Sequence, residues 1–164
     1  MTEPLPNPVT GVFVRRIVQT ACPGHFALMW LDAAQPPEGA STDRGVEVVD
    51  DLPPLCREPL APLPSEFARA FAEGFRRRWS ILGPDRSPPY TARIVLRDAL
   101  WHEIDSNTHG FEHAGLLAAD EILSCVREGR PPRPVGRPVR PDSRIPQMPR
   151  LTLDGRSGGD GPPG

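Results

Sequence analysis

The chain has 164 residues, enough for one domain, and it contains 23 Pro, 15 Gly and 19 basic residues, all of which are Arg. Without Lys the phosphate-cradling sequence G-x-x-x-x-G-K-[ST] cannot be complete, which excludes a P-loop nucleotide hydrolase, so we expect no GTP binding by this chain. The formal net charge of −2 conceals an asymmetry, because residues 129–164 carry seven Arg against three Asp, whereas residues 1–128 carry 12 Arg against 18 acidic residues.

Three strands are predicted in the first third of the chain. Residues 11–20, GVFVRRIVQT, are rich in β-branched side chains, as strands are. The Pro23-Gly24 turn favours a hairpin that returns into a second strand over 25–33. Residues 46–50, VEVVD, form a short third strand.

Two helices and a fourth strand follow. Over residues 65–82 four aromatic side chains repeat every four positions, which places them on one face of a helix. They are Phe67, Phe71, Phe75 and Trp79. Residues 90–101 predict a strand, and residues 108–129, THGFEHAGLLAADEILSCVREG, predict a second helix with many small side chains on its apolar face. Asp105 and Ser106 are the predicted N-cap of this helix, because their side chains can accept hydrogen bonds from its free N–H groups.

The order β-β-β-α-β-α predicts an α+β fold, a two-layer sandwich with both helices on one face of a mostly antiparallel sheet. We place this domain at residues 11–128, after a flexible N-terminus at 1–10. Residues 129–164 are rich in Arg, Pro and Gly without periodicity, which predicts a disordered tail with local polyproline II. A basic tail on an acidic body is typical of an interaction segment, here one that docks a protein partner or contacts phosphates.

The polar residues around the start of the second helix allow a chemical interpretation. His109 and His113 are four residues apart with Glu112 between them, and His102 and Asp105 lie just upstream. Imidazole and carboxylate suit zinc or iron, and a carboxylate can also orient an imidazole for acid–base catalysis. In the alternative interpretation the two helical histidines are solvated surface residues. We expect no enzyme activity, metal or cofactor, because H-x-x-x-H alone is a weak signal and no Ser or Cys nucleophile accompanies His102.

The remaining signals concern the compartment. Cys22, Cys56 and Cys125 are far apart and form no C-x-x-C pair, which argues against a disulfide framework or a cysteine zinc site. No signal peptide is visible, and no apolar run approaches the ~20 residues of a membrane span. We therefore expect a cytoplasmic protein that has no contact with a membrane.

Residues 90–123, YTARIVLRDALWHEIDSNTHGFEHAGLLAADEIL, resemble the end of domain IV of elongation factor G and its ribosome-protection relatives. The family pattern is a strand, an Asp-containing turn, an aromatic residue, a His, an acidic residue, Val/Ile-Asp-Ser, and a Phe that starts a small-residue helix. The matching positions here are Val95, Leu96, Asp98, Trp101, His102, Glu103, Ile104, Asp105, Ser106, Phe111, Ala114 and Gly115. Residues 63–84 and 23–39 are similar to two further family segments, so the resemblance covers about residues 11–127.

This resemblance implies the ribosomal protein S5 domain 2-like fold, with a left-handed crossover, as a stand-alone domain. In the family the loop tips of this domain reach the ribosomal decoding site, and His102 matches the histidine of one tip. The other tip is the first hairpin, QTACPGH. The expected tip residues are Trp101, His102, Glu103, Cys22, Pro23, Gly24 and His25. In the tail, Arg130, Arg133, Arg137 and Arg140 are expected to supply sequence-independent phosphate contacts.

The resulting prediction is a non-enzymatic module in translation that binds the ribosome or ribosomal RNA through the His102 turn, the hairpin and the basic tail. The alternative is a protein-interaction module that reuses the fold without RNA contact, since the first hairpin lacks the basic residue usual in the family and residues 1–128 are acidic. A small metal- or acid-dependent enzyme at His102, Asp105, His109 and His113 is the third interpretation.

Overall fold

Five strands, two α-helices and a short 3-10 helix (Pro84–Arg86) form in the part of the chain that the computed structural model describes, residues 2–19, 24–54, 61–140 and 142–150. The elements are β1 (Val9–Val18), β2 (His25–Ala34), β3 (Val46–Asp50), α1 (Ser65–Trp79), β4 (Ala92–Trp101), α2 (Thr108–Glu128) and β5 (Val135–Arg137). The predicted order β-β-β-α-β-α is confirmed, and β5 is an addition to it.

The strands form one mixed sheet in the order β3-β4-β2-β1-β5. β2 lies antiparallel between β1 and β4, whereas β3 pairs in parallel with β4 and β5 pairs in parallel with β1. The β3–β4 pair is parallel because α1 carries the chain back along the sheet between the two strands. The sheet is therefore less antiparallel than predicted, with parallel pairs at both edges.

Both helices pack on one face of the sheet, where they share a single apolar core with its inward side chains. The predicted aromatic face of α1 is confirmed, since Phe71, Phe75 and Trp79 are completely buried. The helices approach closely at two glycines: a Cβ on Gly74 would lie 2.0 Å from the Glu112 carbonyl oxygen, and one on Gly115 would lie 2.1 Å from the Phe71 carbonyl oxygen. The small residues of α2 thus allow backbone-to-backbone contact with α1.

The opposite face of the sheet carries a second, smaller apolar cluster of Phe13, Leu28 and Trp30. Residues from the C-terminal segment cover it: Ile145 and Met148 pack against it, and the indole Nε1 of Trp30 donates to the Pro146 carbonyl oxygen at 2.9 Å. Both faces of the sheet are therefore packed.

The described parts of both chain ends contact the domain formed by residues 11–128. Leu5 is completely buried, and its backbone N–H donates to the Thr91 carbonyl oxygen at 2.9 Å. After residue 129 the chain adds β5 to the free edge of β1, and the Arg150 guanidinium donates to the Arg97 carbonyl oxygen at 2.8 Å. An extended, Pro-rich segment needs few residues of its own to pair with an existing edge, so its composition did not reveal β5. Residues 151–164 lie outside the described residues.

Candidate functional site

Two loops meet at one end of the sheet, and side chains from one bind the backbone of the other. The Ser106 hydroxyl donates to the Phe26 carbonyl oxygen at 2.6 Å and accepts the His102 backbone N–H at 2.8 Å. The Asn107 amide Nδ2 donates to the Gly24 carbonyl oxygen at 2.6 Å. The described start of the β2 side of the hairpin and the β4–α2 turn therefore form one surface, which we call the composite tip: Gly24, His25 and residues 102–107.

The N-cap of α2 is Asn107, whose side chain accepts the Gly110 backbone N–H at 2.8 Å. The prediction that Asp105 and Ser106 cap this helix was wrong. Ser106 uses its hydroxyl to join the two loops, and the helix begins only after Asn107. Asn107 thus connects the start of α2 to the hairpin.

His102 is held in one orientation at the edge of the composite tip. Its Nδ1 accepts the backbone N–H groups of Ile104 and Asp105, each at 3.3 Å, and lies 3.5 Å from a carboxylate oxygen of Asp105. Its ring also packs against Phe26, with the ring centroids 5.9 Å apart. Because Nδ1 acts as an acceptor, the neutral imidazole carries its proton on Nε2. The side chain is half-exposed, so it can present this donor to a partner.

The neighbours of His102 in the turn differ in how far they are exposed to solvent. Glu103 is exposed, and Ile104 is 83% exposed although its side chain is apolar. Trp101 is 9% exposed, and its ring packs edge-on against Phe67 with the centroids 6.1 Å apart. The prediction of Trp101 as a tip contact therefore needs correction: its position in β4 turns it toward the helices and into the core. The sequence prediction included Ile104 in the family pattern but not among the tip contacts, although an apolar residue between acids in a turn was a usable signal.

The histidines of α2 face the hairpin across a small cleft of about 270 Å³. It is lined by His25, Gly74, Arg77, His109, Glu112, His113 and Leu116. Burial, together with the charge of Arg16, lowers the pKa of both His25 and His113, and the Arg16 Nε donates to the His25 Nδ1 at 3.3 Å. Both imidazoles therefore lie partly out of solvent beside a cation, and the interpretation of His113 as a solvated surface residue is too simple.

Within the described residues, no group of three or more His, Cys, Asp or Glu side chains is placed to hold a metal ion. The metal or acid–base interpretation grouped four residues, His102, Asp105, His109 and His113. In the structure they belong to two different clusters, His102 with Asp105 and the two helical histidines with His25.

The four predicted tail arginines are not equivalent. The Arg130 guanidinium donates to both oxygens of the buried Glu121 carboxylate, at 2.8 and 3.1 Å, and to Glu128 at 2.7 Å. Burial alone would raise the pKa of Glu121, but hydrogen bonds from Arg130 and the Arg133 backbone N–H hold it below its ordinary value. Arg130 therefore anchors the chain after α2 and is not free for a phosphate.

The other three predicted tail arginines, Arg133, Arg137 and Arg140, are exposed. Gly24 and His25, two of the residues predicted as tip contacts, belong to the composite tip as defined above, and their contact with a partner stays a prediction. Cys22 and Pro23, also predicted as tip residues, lie outside the described residues.

A mixed sheet with two helices on one face, and with two loops joined at one end, defines an α+β domain of the ribosomal protein S5 domain 2 type. The comparison of solved structures agrees: the fold matches a crystal structure of a Thermus thermophilus protein with a TM-score of 0.51 and 16% identity, over 73% of this chain and 16% of that chain.

In sequence, 66 residues are 32% identical to Elongation factor G 2 of Bdellovibrio bacteriovorus, which is 40% of this chain and 9% of that factor. No protein-family model matches the chain. The chain thus spans about a tenth of the length of this relative, and it resembles one domain of elongation factor G, a translation factor. Among the described residues, no helix combines the length and apolar character needed to cross a bilayer.

Proposed function

We propose that the chain is a non-enzymatic translation module that binds the ribosome or its RNA through the composite tip, aided by the exposed arginines of the C-terminal segment. The observation that carries the proposal is the joining of the two loops by Ser106 and Asn107. A surface that is already assembled loses less conformational entropy on binding than two independent loops.

The tip offers chemistry that suits a polar, structured target. His102 presents an oriented Nε2–H donor, and His25 lies beside Arg16 and two further histidines. Hydrogen-bond donors and cationic side chains bind phosphate and sugar oxygens without reading sequence. A module that works on the ribosome would be cytoplasmic, in agreement with the expectation from sequence.

Co-sedimentation with purified ribosomes at about 50 and about 200 mM salt tests this proposal. The His102→Ala variant is expected to bind less than the wild-type chain at both salt concentrations. Glu38→Gln, at an exposed loop position outside the tip, is the control and is expected to bind as the wild type does. Absence of sedimentation by the wild-type chain at the lower salt concentration would overturn the proposal.

A protein partner is the second candidate, and one observation favours it. The 83% exposed side chain of Ile104 stands at the end of the composite tip, where an apolar pocket of a partner protein would enclose it. If ribosomal proteins contribute to binding, Ile104→Ala weakens sedimentation with intact ribosomes but leaves the affinity for isolated RNA unchanged.

A further inference from the structure

We propose that a cavity on the helix-free side of the β1–β5 edge is a binding site for the phosphate backbone of RNA; this inference rests on the proposed function and deepens it. The cavity has a volume of about 610 Å³. β1 and β5 contribute Phe13, Arg15, Gly136 and Arg137, and the following segment contributes Pro138, Val139, Arg140, Ser143, Arg144 and Pro146. We call it the arginine cavity, because four of its lining residues are Arg.

Among the described residues, no acidic side chain lines the arginine cavity. In the same part of the chain, eight other arginines form ion pairs with carboxylates, whereas none of these pairs includes Arg15, Arg137, Arg140 or Arg144. Five further described arginines also lie outside these ion pairs, but they do not line the cavity: Arg16, Arg69, Arg86, Arg127 and Arg133. The positive charge of the cavity is left for an anion from outside.

Arg15 adds a guanidinium group from the sheet to the wall of the cavity. Its Nε is shielded from solvent and has no hydrogen-bond partner among the described residues, as is also true of the Nε atoms of Arg76 and Arg97, so this atom by itself does not mark a ligand site. The side chain as a whole is only half-buried. Guanidinium groups bind phosphates through parallel hydrogen bonds, and the place of Arg15 in the cavity wall is what suits it to a phosphate.

The pairing of β5 with β1 brings Arg137 close to Arg15. Arg15 stands opposite Gly136 and Arg16 opposite Arg137 in parallel register. A Cβ on Gly136 would lie 1.8 Å from the Arg15 carbonyl oxygen, so the two strands can approach this closely only with glycine at 136. The edge strand thereby adds Arg137 to Arg15 at the cavity, whereas Arg16 lines a different cleft.

The cationic surface extends beyond a single phosphate. Arg137 also lines a second cleft with Arg16, His113 and Leu117, and Arg16 in turn donates to His25 in the composite tip. Arg137 therefore lines both the arginine cavity and the cleft that contains Arg16. An extended polyanion can contact both clefts, whereas a small phosphorylated ligand fills only one of them.

The test uses the full chain and fluorescence anisotropy with a labelled single-stranded oligouridine, over a salt series. The R140Q/R144Q variant changes two exposed side chains and is expected to lower RNA affinity about tenfold at low salt. The slope of log affinity against log salt is expected to flatten by ~0.7 for each phosphate that the variant no longer neutralises. R69Q/R86Q removes the same charge from exposed positions elsewhere and is expected to stay within twofold of the wild type. Arg15→Gln, with its melting temperature measured alongside, is expected to weaken RNA binding without unfolding the chain.

Three results would overturn the inference. One is RNA affinity in R140Q/R144Q equal to that of the wild type. Another is an equally large decrease in R69Q/R86Q, which would show a general charge effect. The third is equal affinity of the wild type for polyglutamate of the same charge. If any of these occurs while His102→Ala still weakens ribosome sedimentation, the proposed binding through the composite tip stands, and both the arginine cavity and the contribution of the exposed C-terminal arginines are wrongly assigned. No sedimentation by the wild-type chain overturns both.

Discussion

Asn107 joins the hairpin to α2: its Nδ2 donates to the Gly24 carbonyl oxygen at 2.6 Å, and its Oδ1 accepts the Gly110 backbone N–H at 2.8 Å. One amide side chain thus caps a helix and holds a loop that is distant in sequence. Only an amide provides a donor and an acceptor in this geometry, so the two roles can be separated by substitution.

Asn107→Asp is expected to keep the cap but lose the bond to Gly24, because a carboxylate only accepts. Asn107→Ala loses both, and its unfolding free energy should fall by ~1 kcal/mol or more through loss of the cap. Urea unfolding measures the stability, and amide exchange at Gly24 and His25 measures the loop. Faster loop exchange in both variants, with stability lost mainly in the alanine variant, is the expected pattern. Equal stability of the two variants would contradict it.

The contact between helices at Gly115 is expected to be intolerant of any side chain. In Gly115→Ala the new Cβ would meet the backbone of Phe71, so the helices must separate, at a cost of ~3 kcal/mol or more in unfolding free energy. Gly110→Ala in the same helix is the control, because its Cβ would lie 3.3 Å from the His25 Cβ and is expected to shift stability by less than ~1 kcal/mol. Comparable decreases in the two variants, measured by urea unfolding, would show that close packing is not the cause.

The buried carboxylate of Glu121 is expected to hold the chain that leads into β5. Glu121→Gln leaves Arg130 without its main partner in a largely buried site, and the expected decrease in unfolding free energy is ~3 kcal/mol. Glu128→Gln removes an exposed partner of the same guanidinium and is expected to cost less than ~1 kcal/mol. Thermal unfolding and amide exchange at Val135 are the measurements. A Glu121 variant as stable as the Glu128 variant would mean that Arg130 does not anchor β5.

Stability is expected to fall as the pH drops below about 6.5, the ordinary pKa of histidine. Burial lowers the pKa of His25 and His113 in the folded chain, so between the folded and unfolded values the unfolded chain binds more protons. The contribution of the neutral histidines is therefore present above pH 6.5 and is lost as the pH falls toward the lowered values. The His25→Asn/His113→Asn variant is expected to show a flatter stability profile between pH 7 and 5; a profile parallel to that of the wild type would contradict this cause.

The helices and the core were predictable because their signals are local. Phe67, Phe71, Phe75 and Trp79 recur at the period of a helix, and that spacing is independent of the rest of the molecule. The cap of α2 was not predictable in the same way, because Asp105, Ser106 and Asn107 can all serve. The choice depends on Ser106 being bonded to Phe26, a contact across 80 residues of chain.

Arg15 and β5 show the same limit for the candidate sites. Arg15 is an ordinary strand residue in the sequence, and Val135–Arg137 is too short and too Pro-flanked to predict a strand. Their part in a binding site can be recognised only in the folded chain, where β5 pairs with β1 and the segment after β5 lines a cavity. Likewise, Arg130 looked equivalent to Arg140 until the structure placed it on Glu121.

Ribosome co-sedimentation of the wild-type chain beside the His102→Ala/Ile104→Ala variant tests the central claim most directly. Both substitutions lie in the composite tip, outside the apolar core, so the variant is expected to fold and to keep the melting temperature within a few degrees. The expected result is salt-sensitive sedimentation of the wild type and a reduction of about tenfold in affinity for the variant. Equal sedimentation of the two chains, or none by either at low salt, would contradict a ribosome-binding tip.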